Sequence, residues 1–143
     1  MHRIETDLFQ LEFSAKNYSP DARESENAVL DLRVFSDDFS AVASWMMDLS
    51  QFAAFAKALS DMSENKSGCA ELRDSHNGDN FIHFECADNG RVKVTGKIAN
   101  TGNSGFTQSL SFENEFDAKK LPVLAAQLCE GYKGFNAAGG HLI

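Results

Sequence analysis

The run of residues 69–98, CAELRDSHNGDNFIHFECADNGRVKVTGKI, carries the most informative turn chemistry in the chain. Three stretches of alternating residues are separated by two Asn-Gly pairs, Asn77-Gly78 and Asn89-Gly90. Asn-Gly accepts the positive φ angles of a type I′ turn, so each pair is expected to close an antiparallel hairpin. Two hairpins sharing one strand make a meander. Ile82, Phe84 and Cys86 alternate with His83 and Glu85, and Val92, Val94 and Ile98 alternate with Arg91, Lys93, Thr95 and Lys97. Each strand therefore has one apolar and one wet face.

Working outward, the glycine-rich turn Thr101 to Gly105 leads into a further strand from Phe106 to Glu113, with Leu110 and Phe112 inward. Upstream the period lengthens: Phe52, Phe55, Ala56, Leu59 and Met62 form one helical stripe, which predicts a helix over Ser50 to Met62 with Asp48 or Ser50 as N-cap. Before it the alternation returns in three runs: Thr6 to Ala15, a run from Ala28 to Val34, and Phe39 to Met47. In the third, Ala41, Ala43, Trp45 and Met47 share one side while Val42 and Met46 share the other. Apolar residues on both faces predict a central strand or one covered on both sides. Downstream, Asp117 is a candidate N-cap for a second helix carrying Leu121, Leu124, Ala125, Leu128 and Tyr132, with Phe116 and Leu121 placed for a hydrophobic staple. Pro122 loosens the first turn or moves the regular helix toward Lys120.

The order of elements is three strands, helix, four strands, helix. It predicts an α+β fold: about seven strands in a mainly antiparallel sheet, with both helices on one face. The chain reads as a single domain over residues 1–143, with a folded core at 6–133, a surface loop at 16–27 around Pro20, and a flexible tail at 134–143.

Composition narrows the class. Thirteen Lys and Arg against 21 Asp and Glu leave 143 residues with a net charge of −8, which disfavours nucleic acid as a partner. No apolar run reaches the length of a membrane span, and the start, MHRIETDLFQ, lacks the apolar stretch of a signal peptide. A soluble cytoplasmic protein with no membrane partner is the expectation. Cys69, Cys86 and Cys129 cannot all pair within one chain and have apolar neighbours, so they read as buried free thiols.

No residue constellation supplies a chemistry. His83 and Glu85 share a strand face, but two donors do not make a metal site, and neither H-E-x-x-H nor C-x-x-C occurs. No cysteine shows a base or an electropositive setting. Gly90 to Ile98 has five residues between its glycines and lacks Ser or Thr after Lys97, so it reads as a strand rather than a phosphate loop. Asp74, Asn77 and Asp79 lack the alternate spacing of a calcium loop. No catalytic residue, cofactor or metal is expected. What remains is charge: Arg91, Lys93 and Lys97 read as a solvated stripe, and acids cluster at Asp37 and Asp38 and at Glu113 and Glu115. An acidic surface attracts a basic partner over long range.

Several pieces resemble the WapI-like immunity proteins from about Ala28 to Tyr132. They are the strand ending in Trp45, the entry Asp48-Leu49-Ser50-Gln51-Phe52, the run Asn89 to Gly96, and Leu110-Ser111-Phe112-Glu113 followed by Leu121 and a short helix. The resemblance implies a small bacterial protein that binds and neutralises a cognate toxin without catalysis, with Asp37, Asp38, Glu113 and Glu115 as candidate contacts. Two other readings stand beside it. One is a small enzyme or ligand carrier using His83 and Glu85 in a pocket between sheet and helices. The other is a homodimer formed through an exposed strip of Val42 and Met46.

Overall fold

The computed structural model describes residues 2–17 and 27–131. The expected tail 134–143, Tyr132 and most of the expected loop 16–27 lie outside the described residues; β2 runs to Asn17 and β3 starts at Asn27. The chain order is β1 (His2–Glu5), β2 (Phe9–Asn17), β3 (Asn27–Ser36), β4 (Phe39–Asp48), α1 (Leu49–Asn65), β5 (Cys69–Arg73), β6 (Phe81–Cys86), β7 (Arg91–Thr101), β8 (Thr107–Asp117) and α2 (Leu121–Gly131). The class is α+β, as expected, but with eight strands among the described residues. They form two four-stranded antiparallel sheets, β1-β2-β3-β4 and β5-β6-β7-β8, rather than one.

β1 is the strand missed by periodicity, because of its four residues Ile4 alone is apolar, while His2, on the same face, packs against Phe13 as a polar residue. Its turn is set by Thr6, whose Oγ1 accepts from the Phe9 amide at 2.9 Å while the Thr6 amide donates to the Phe9 carbonyl at 2.7 Å. The pairing Ile4 to Leu11 then follows.

Helix α1 explains why the sheet divides. Its stripe of Phe52, Phe55, Leu59 and Met62 is buried on both sides: Phe13 of the first sheet meets Phe52 and Phe55, and Phe55 meets Phe84 of the second. Farther along, the sheets meet directly, with Phe9 stacked against Phe112 and Phe116. α1 lies between the sheets and packs on α2. Each fully buried Phe contributes about 1.5–3 kcal/mol, so this aromatic chain is a main source of cohesion.

Strand β4 is an edge strand, not a central one. Its edge is closed by side chains and loops of the second sheet instead of by a neighbouring strand. Asn100 Nδ2 donates to the Val42 carbonyl at 3.3 Å, the Ser75 amide donates to the Met46 carbonyl at 2.9 Å, and the Met46 amide donates to Asp74 Oδ1 at 3.3 Å. Val42 is 53% exposed on the outer face.

The Asn-Gly positions turn the chain, but not as type I′ pairs. Only Gly90 has a positive φ, 75°, and the Ala87 amide donates to the Arg91 carbonyl at 2.9 Å, a three-residue turn ending in a left-handed glycine. Asn77 and Gly78 sit in a seven-residue connection between Arg73 and Phe81, organised by buried Asp74 and Asn80. Pro122 falls at the second position of α2, where its missing amide costs nothing, after a 3₁₀ turn at Ala118–Lys120 capped by Asp117.

Candidate partner-binding surface

Ser36 pairs with Phe39, so the β3–β4 connection has only two residues, Asp37 and Asp38. Asp37 takes a left-handed φ of 54°, which Asp tolerates better than most residues. The turn is anchored from two directions. The Asp37 amide donates to the Leu8 carbonyl at 2.8 Å, locking it to the β1–β2 turn. From β8, Asn114 Nδ2 donates to the Leu8 carbonyl at 3.1 Å and to Ser36 Oγ at 3.0 Å, with Asp37 Oδ1 at 3.5 Å. Three loops and strands distant in sequence thus converge on one rigid knuckle.

The four acids singled out from sequence differ in electrostatic standing. Glu113 and Glu115 lie on the outer face of the second sheet, flanking Asn114 along β8. There Lys93 Nζ stands 3.4 Å from Glu113 and Arg91 Nε 3.2 Å from Glu115. The expected basic stripe is this same face, so its cations and the β8 acids largely cancel as seen by a distant partner. Asp37 and Asp38 are exposed and take part in no ion pair among the described residues.

Sequence reasoning missed the apolar members of the knuckle. Leu8 is 64% exposed and Phe39 67% exposed, one on each side of the acidic turn. Phe39 also borders a groove of about 320 Å³ lined by Ala41, Val42, Ile98 and Leu110. Phe39 has the parity of the buried β4 residues, and the alternation gave no sign that the strand outruns its cover.

The candidates for chemistry make the following contacts. His83 Nδ1 is 3.4 Å from Glu71 Oε1 across the β5–β6 ladder, and its pair with Glu85 does not form an ion pair among the described residues. Arg73 bonds the same Glu71 and stacks on Phe81, making a polar ladder. The cavity of about 330 Å³ between α1, α2 and the β6–β7 turn is lined by Met62, Lys66, Cys86 and Leu121; His83 and Glu85 are not among its lining residues. No group of three or more His, Cys, Asp or Glu among the described residues is placed to hold a metal ion. Asp74 accepts from the amides of Met46 and His76 and from Asn80 Nδ2, so it ties a loop to β4. Cys69 is exposed, contrary to the expectation of three buried thiols. Cys86 and Cys129 are half-buried, and burial pushes both thiols up from their ordinary pKa. No helix among the described residues is long and apolar enough to cross a membrane.

The model of the immunity protein WapI-like family matches residues 2–135. It takes in β1, β2 and the rest of residues 2–27, a stretch outside the motifs that carry the resemblance in the sequence. No curated protein and no solved structure matches the chain.

Proposed function

This chain belongs to the immunity protein WapI-like family, and from that premise we propose that it is an immunity protein that binds a cognate toxin and blocks its active surface, making and breaking no covalent bond. Family membership over residues 2–135 is the observation that carries the reading. The net charge of −8 supports it, because an acidic protein is drawn to a basic partner and steered onto it.

Asp37, Asp38, Glu113 and Glu115 are the proposed contacts. The unpaired Asp37 and Asp38 meet the partner directly, while Glu113 and Glu115, already held by Lys93 and Arg91, form the rim. The producing cell's cytoplasm, where a toxin is met before it does damage, is the proposed location. The test is co-purification with the toxin encoded beside this gene. A complex at micromolar concentration is expected, and its absence contradicts the reading. A second reading, association of two copies through the outer face of β4, is favoured by the exposure of Val42 and is checked by light scattering.

A further inference from the structure

Charge is distributed along this chain by segment, and the segments that meet at the knuckle hold only one sign. Residues 4–15, 34–56 and 98–118 contain no Lys, Arg or His, and each carries three acids. These segments supply Leu8, the Asp37-Asp38 turn, Phe39, Asn114 and the walls of the groove beyond Phe39. All 13 Lys and Arg residues lie elsewhere in the sequence. Where β7 cations reach β8 acids, they do so on the opposite, outer face of the second sheet.

Two other properties mark the knuckle as an energetic centre. Large apolar side chains, Leu8 and Phe39, stand exposed beside unpaired carboxylates, the composition of an anchor with a charged border. The backbone beneath them is already ordered by the Asp37 amide and by Asn114, so little conformational entropy remains to be lost on docking. Elsewhere the paired outer face of the second sheet offers neither anchor nor net field.

Resting on the toxin-binding reading, we infer that Leu8, Asp37, Asp38 and Phe39 form the binding centre, and that its occupant is a protein surface with an apolar dent bordered by Lys or Arg. Leu8 and Phe39 fill the dent, Asp37 and Asp38 pair with the border cations, and the Phe39 groove receives the adjoining apolar side chain. Asn114 is a positioning residue: it touches no partner group and holds the turn in its docking shape.

The probe is the toxin domain encoded beside this gene, titrated against the full chain and three double variants. Leu8→Ala with Phe39→Ala, and Asp37→Asn with Asp38→Asn, are each expected to weaken binding by at least about tenfold; Lys57→Gln with Asp61→Asn, an exposed ion pair on α1 whose removal leaves the net charge unchanged, is expected to change it by less than about threefold. All six side chains are exposed, so the fold is retained, which the emission of buried Trp45 reports. Asn114→Ala is expected to speed dissociation while leaving the salt dependence of association unchanged, since no charge is lost. Wild-type binding that survives both knuckle variants overturns this inference and leaves the toxin-binding reading standing. Absence of wild-type binding overturns both.

Discussion

Gly96 faces the ring of Phe112 across the β7–β8 ladder. A Cβ built there falls 2.6 Å from two atoms of that ring and 2.8 Å from the Phe81 carbonyl oxygen. The ring can shift, but the carbonyl is fixed by the sheet. Gly96→Ala is therefore expected to destabilise the fold by roughly 1–3 kcal/mol, read from denaturant unfolding by Trp45 emission; an unchanged midpoint contradicts this packing. The thiols provide a second residue-level test. With Cys69 exposed and Cys86 and Cys129 made less acidic by burial, a thiol reagent at pH 8 is expected to modify one cysteine at least about tenfold faster than the other two. Three equal rates contradict the placement. The sign of the pH effect on stability follows from the same shift. The folded state favours the protonated thiols, so this contribution is complete below the ordinary thiol pKa and is lost as pH rises through the raised values.

At the scale of elements, the junction between sheets is the point of greatest leverage. Asp74 is 7% exposed and holds the Met46 amide of β4, the His76 amide and Asn80 Nδ2. Asn80 in turn accepts from the Ala99 amide of β7 at 2.9 Å. Asp74→Ala strands these donors and opens the β4 edge, so a loss of about 2–4 kcal/mol is expected; a change below about 0.5 kcal/mol contradicts the tie. This junction also marks the limit of what alternation reveals. Seven strands and both helices were legible because Leu30, Leu32 and Val34, or Phe52, Phe55 and Leu59, repeat with the period of their element. Which strands adjoin was not legible across α1, since a period reports the buried face and not the neighbour. Val42 and Met46 imitated a central strand for that reason, and Asp74, Ser75 and Asn100 close the edge with contacts 28 or more residues away. The candidate surface was half legible: Asp37 and Asp38 stand out as charge at a turn, while Phe39 shares the parity of the core residues of its strand and Leu8 falls in a turn, out of phase with Phe9, Leu11 and Phe13.

For the whole molecule, the segregation of charge has a kinetic consequence. Raising salt from 0.1 M to 1 M shortens the screening length from about 10 Å to about 3 Å. Association with the proposed toxin partner is then expected to slow by about tenfold or more, while dissociation from the proposed apolar anchors changes far less. An association rate flat in salt contradicts steering by the acidic surface. For the proposed toxin partner, the most direct measurement is a titration of that toxin's activity with this chain. Inhibition that grows linearly and is complete at one molar equivalent, with activity regained on separating the two proteins, is predicted. Inactivation by a small fraction of an equivalent, progressing with time and surviving separation, would show that this protein modifies its target rather than covering it.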